Sequence, residues 1–118
     1  MTELIACLST GKGTWGHVSR LLEDQSWDKI FLIANEYASE NFKSNNKIEI
    51  ITINENIGIK DLRDAIKSAL KEKIKGTEVG VNFISGSGKE HMALISALIQ
   101  LGIGIRFIAL TKDGIEEI

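Results

Sequence analysis

Two short glycine-rich segments carry the residue types best suited to chemistry. The first runs Ser9-Thr10-Gly11-Lys12-Gly13-Thr14-Trp15-Gly16, and the second Ser85-Gly86-Ser87-Gly88-Lys89. Glycines let a backbone turn tightly and approach a phosphate, whose charge N–H groups at the start of a following helix stabilise. Ser9, Thr10, Ser85 and Ser87 add hydroxyls, and Lys12 and Lys89 add positive charge. From Gly11 to Gly16 the first segment matches G-x-G-x-x-G, and Glu36 falls about where a ribose-binding acid belongs in dinucleotide sites. It nearly matches a P-loop too, but His17 stands where lysine is required. The second segment has a plainer alternative, a strand-to-helix turn whose serine caps the helix. Trp15 offers a face for a nucleobase, with packing at the sheet edge or in an interface as the alternative.

The surrounding pattern alternates short apolar runs with helical stretches. Leu4 to Leu8, Lys29 to Ala34, Ile48 to Ile53, Glu78 to Ile84 and Ile105 to Leu110 read as buried strands. Between them, helical spacing is expected after Gly13 up to about Asp24, over Glu36 to Phe42, from Ile59 to Gly76, and from Lys89 to Leu101. Thr111 to Ile118 reads as a tail. The Ile59 helix sets Leu62, Ile66 and Leu70 on an apolar face and Lys60, Asp64, Lys67, Lys71 and Lys75 on a solvated one. Strands apolar on both faces, each followed by a helix, imply an α/β fold. The expected form is a Rossmann-like, doubly wound parallel sheet of about five strands in the order 3-2-1-4-5, with helices on both faces. In that order the helices after strands one and four leave on opposite faces and open a crevice at the strands' carboxyl ends. Both glycine-rich segments follow those two strands, so both face that crevice.

Size and composition narrow the classes. A chain of 118 residues and 13.0 kDa is expected to be one domain, residues 1–118, without a separate effector or catalytic domain. It is 43% hydrophobic and 25% charged with mean hydropathy +0.02, which fits a packed globule rather than a disordered chain. A net charge of −2 argues against duplex-DNA binding. With one cysteine and two histidines there is no internal disulfide or zinc set, and no metal or cofactor is expected. No apolar segment reaches the ~18 residues of a membrane span, and Met1-Thr2-Glu3-Leu4 does not resemble a secretory signal, so a cytoplasmic location is expected.

From Val81 to about Leu110 the chain resembles the second signature of CRISPR-associated Rossmann-fold (CARF) domains. In that family the fourth strand ends in a Thr-Gly-Gly-Thr-Lys-like loop, followed by a helix rich in Met, Ala and Leu. Ser85-Gly86-Ser87-Gly88-Lys89, with Met92, Ala93 and Leu94 after it, is the match here. Ser87 replaces the second glycine, and Gly88 stands where a hydroxyl residue is usual. The resemblance implies that Ser9 to Thr14 form the family's other ligand loop. It implies an antiviral-defence role, with a cyclic oligoadenylate second messenger bound across a homodimer's two-fold axis. The helix Met92 to Leu101 is apolar nearly all round, which suits either a dimer face or a deeply buried core helix.

Some relatives without an effector domain open the ring themselves, without metal. For such a step Lys89 and the loop N–H groups would stabilise phosphorane-like charge, with Ser9, Thr10 or Ser85 positioning the phosphate. The only histidines, His17 and His91, lie in the first turns after the two loops and could supply acid and base. Two other readings stand beside this one: a minimal Rossmann domain for NAD or another nucleotide, dependent on Glu36, and a non-enzymatic interaction module. Cys7 reads as a core residue, Asn82 as lining the crevice or satisfied inside it, and Arg106 as paired with an acid or reaching the rim.

Overall fold

The computed structural model describes residues 2–9, 12–24, 26–42 and 46–118, with only the backbone for Thr2 and Lys12. Six strands form one sheet: β1 (Thr2–Leu8), β2 (Trp27–Ala34), β3 (Ile48–Thr52), β4 (Glu78–Asn82), β5 (Gly104–Thr111) and β6 (Gly114–Glu117). Four helices connect them: α1 (Trp15–Leu22), α2 (Glu36–Asn41), α3 (Ile59–Leu70) and α4 (Gly88–Gln100). The order is β3-β2-β1-β4-β5-β6, parallel throughout except for β6. This is the expected Rossmann-like arrangement with one strand more.

Leu4 to Leu8 of the central strand are fully buried, and their side chains divide by strand alternation between two cores. Ile5 and Cys7 meet Leu62, Ile66, Leu70, Leu94 and Leu98 of α3 and α4. Leu4, Ala6 and Leu8 meet Val18, Leu21 and Ala38 of α1 and α2. Right-handed crossovers require this split, because the chain moves from β1 towards β3 on one face and from β3 to β5 on the other. Among the described residues no helix is long and apolar enough to cross a membrane.

Two elements differ from the sequence reading. The α3 helix stops at Leu70, and Ile74 packs against the core from the turn beyond it. Its C-terminal connection is held by Glu3, whose carboxylate accepts the N–H groups of Lys75 and Gly76 at 2.8–3.0 Å. Residues 111–118 are not a tail. They complete a β5–β6 hairpin around Lys112-Asp113, with Gly114 at φ +109° and Asp113 N–H donating to Thr111 Oγ1. The Asp-Gly pair is a turn signal, and Gly supplies the left-handed backbone without steric cost. Arg106 is paired with acids on both flanking strands, Nη1 on Glu78 at 3.1 Å and Nε on Glu117 at 3.0 Å.

Gly80 lies where β4 passes beneath Trp27 and Ile108. A Cβ there would stand 2.9 Å from Ile108 Cγ1 and 3.4 Å from the Trp27 ring. Gly80→Ala is expected to lower unfolding free energy by about 1–3 kcal/mol through overpacking, read from urea denaturation. An unchanged midpoint would show that this contact is not close-packed.

Candidate functional site

The carboxyl ends of β1 and β4 are neighbours, and the chain leaves them towards opposite faces of the sheet. The two connections are stitched together there: Ser9 N–H donates to Ser85 Oγ at 3.1 Å. Ser85 is buried, 2% exposed, so its hydroxyl oxygen serves this junction. Past Ser9 the backbone enters a 3-10 turn, Lys12–Thr14, and then α1. Trp15 folds back so that its indole N–H donates to Ser9 O at 2.7 Å. Its ring packs 6.1 Å from Tyr37 and 6.1 Å from Phe42, the packing alternative for this residue. Thr10 and Gly11 lie outside the described residues, as does the Lys12 side chain.

Glycine-rich character turns out to have different causes at different positions. Gly86 is required by the fold, since its φ is +97° and a Cβ would stand 2.7 Å from Glu90 Oε2 and 3.1 Å from Cys7 Cβ. At Gly13, Gly16 and Gly88 a Cβ would meet nothing within 4 Å. In dinucleotide loops the last glycine of the motif lets helix and strand pack closely. Gly16 has no such neighbour.

Ser87 is the N-cap of α4 in a reciprocal capping box. Its Oγ accepts Glu90 N–H at 3.3 Å, and Glu90 Oε2 accepts Ser87 N–H at 3.1 Å. Ser-x-x-Glu is visible in the sequence, yet only the structure shows Glu90 to be 4% exposed at the base of the loop. Lys89 turns the other way, its ammonium donating to Glu55 O at 2.8 Å in the β3–α3 connection.

The two histidines are both held through Nε2. Leu110 N–H donates to His17 Nε2 at 3.2 Å, and Asn82 Nδ2 stands 3.3 Å from the same nitrogen. A backbone N–H can only donate, so the His17 proton is on Nδ1. Buried Asn82 is fully engaged: Nδ2 also donates to Ile108 O at 2.8 Å, and Oδ1 accepts Ile84 N–H. At His91, Nε2 donates to Ser85 O at 2.8 Å, and the ring stacks 4.8 Å from Phe83. Cys7 is fully buried, and its thiol pKa is pushed up, first by burial and then by the nearby Glu90 charge. It is a core residue rather than a nucleophile.

Two clefts lie at opposite ends of the sheet. One of about 640 Å³, at the carboxyl ends of β2 and β3, is lined by Asn35, Glu36, Thr52, Asn54, Glu55 and Asn56. The other, about 690 Å³, lies at the amino end, where Glu49 pairs with Lys73 and Lys29. Among the described residues no group of His, Cys, Asp and Glu could hold a metal ion. No protein-family model and no curated protein sequence matches this chain.

Partial burial lowers the His17 pKa below the ordinary imidazole value, so the native state favours the neutral ring. The unfolded chain takes up this proton near pH 6.5, before the native state does. His17 therefore contributes stability above that pH and loses it as pH falls through the folded pKa. Thermal unfolding from pH 7.5 to 5.5 is expected to show a smaller drop in Tm for His17→Gln than for the wild type. Identical slopes would remove His17 as the cause. Gly86→Ala is expected to lower Tm at every pH, whereas Gly16→Ala on the exposed helix is expected to hold or raise it.

Proposed function

We propose that this chain is a CARF-like cytoplasmic sensor that binds a cyclic oligoadenylate at the β1/β4 crevice, as a homodimer. The observation that carries the reading is the spare glycine at each loop: Gly13 and Gly88 face open space and answer no packing need. Gly88 is the first residue of α4 and Gly13 lies in the 3-10 turn before α1; a glycine the fold does not require, beside a topological switch point, leaves the backbone open to a phosphate diester. Resemblance of the Ser85 to Leu94 segment to the family's second signature supplies the ligand class. Lys89, on an exposed hydrogen bond to a carbonyl, is free to exchange that partner for a phosphate.

The dimer reading rests on apolar surface that stays exposed among the described residues. Helix α4 buries Ala93, Leu94, Ala97 and Leu98, but Met92 is 63% exposed and Ile99 66%. Met92, Ile95 and Ile99 recur on one stripe of the helix. Phe107, 43% exposed on the neighbouring β5, packs edge-on against Phe83. A second copy covering this face would bring two of each loop together around a symmetric ligand.

Holding the ring is favoured over opening it, because Ser85 Oγ and the Nε2 atoms of both histidines already serve the fold. A second reading draws on the cleft beside Glu36, whose carboxylates and amides suit ribose hydroxyls: a mononucleotide or NAD domain. The absence of close packing at Gly16 counts against it.

Cyclic tetra- or hexa-adenylate is expected to raise Tm and to bind one ring per two chains by calorimetry. Gly88→Ala is expected to keep Tm and lose at least tenfold in affinity; Lys89→Ala should also weaken binding. Equal stability with and without both rings would end this reading, and NAD binding lost in Glu36→Ala would install the second. Met92→Glu with Ile99→Glu is expected to give a folded monomer by sedimentation. Incubation of the ring with EDTA present is expected to return it intact, and linear product would instead assign ring-opening activity.

A further inference from the structure

The loop that should cradle an anion already contains one. Glu90 is buried at 4% exposure, and its surroundings fix where its carboxylate lies. Oε2 accepts Ser87 N–H at 3.1 Å, so the carboxylate caps the loop backbone. The same atom would stand 2.7 Å from a Cβ on Gly86, so it lies under the tightest point of the loop. That Cβ position is also 3.1 Å from Cys7 Cβ, which places the carboxylate near the carboxyl end of β1. The carboxylate thus occupies the wedge between the two strands that open the crevice.

Among the described residues Glu90 takes part in no ion pair, and the adjacent Lys89 ammonium is turned to Glu55 O. The other titratable groups at this spot are the Cys7 thiol from β1 and, on α4 itself, the His91 imidazole, whose Nε2 donates to Ser85 O. Like charges in a site partly shielded from water repel far more strongly than on an open surface. An anion approaching the N-terminus of α4 therefore meets a fixed negative charge where a cradle would offer only donors.

We infer that Glu90 is a built-in competitor for the ligand's phosphate, a carboxylate that caps the loop in the empty state and opposes any anion that binds there. The inference takes the identity of the anion from the proposed ligand; the competition itself depends only on the geometry of the loop. Removing the charge while keeping the hydrogen-bond acceptor should therefore tighten anion binding.

Glu90→Gln separates charge from structure, because its amide oxygen can still accept Ser87 N–H and preserve the cap. The experiment compares wild type and Glu90→Gln by calorimetry with cyclic tetra-adenylate at pH 7.5, with inorganic pyrophosphate as a second probe by thermal shift. About tenfold tighter ring binding by Glu90→Gln is the expected result. If Glu90→Gln is too unstable to assay, the same comparison is made in a Gly16→Ala background, which is expected to hold or raise Tm. Ring binding that is equal or weaker in Glu90→Gln overturns the inference and leaves the sensor reading standing. No ring binding by either protein, with pyrophosphate stabilising Glu90→Gln alone, overturns the sensor reading and leaves the competitor role standing. No response to either probe overturns both.

Discussion

Everything in this molecule hangs on a central strand that is dry on both faces. Between Leu4 and Leu8 no side chain of β1 reaches water, so neither face can be left to solvent. Each face must be covered, and parallel neighbours can be joined only by crossovers that pass over one face or the other. Covering both faces forces the chain to reverse direction across the sheet at β1. That reversal creates the divide between β1 and β4 at their carboxyl ends. The crevice is thus a by-product of hydrophobic burial.

Such a divide leaves backbone polar groups near the end of a buried strand, and the chain answers most of them from within. Ser85 receives the Ser9 N–H, Trp15 satisfies the Ser9 carbonyl, and Asn82 with His17 ties β4 to β5. Glu90 and Ser87 cap the start of α4 reciprocally. These bonds make the junction rigid, and they withdraw several reactive side chains from ligand chemistry. Among the described residues of the two loops, Gly13 and Gly88 keep open space beside their backbone.

Surface apolarity has a similar logic. In a fully wound Rossmann domain a helix following the fifth strand would cover the outer part of the sheet. Here the chain turns back at Lys112-Asp113 and adds β6 instead. Phe107 and the outer stripe of α4 consequently stay partly exposed. The hairpin closes one face, through Ile115 on the α1 side, and leaves the other open.

Strand order, helix placement and the convergence of the two glycine-rich loops were legible in the amino-acid sequence, because all three follow from apolar periodicity and the handedness of crossovers. The identity of Cys7 as a core residue followed equally from its apolar neighbours. The β5–β6 hairpin was written there too, in Asp113-Gly114, but a four-residue strand is too short for periodicity to reveal. Tertiary structure alone decided which glycines are structural and which are spare, since Gly86 and Gly88 differ in backbone φ and in what surrounds them. It likewise decided that both histidines are held through Nε2 and that Glu90 turns inward. Sequence sets which groups a loop contains. Which of them remain free depends on contacts between residues as distant as Ser9 and Ser85 or His17 and Leu110, and those exist only once the sheet has closed.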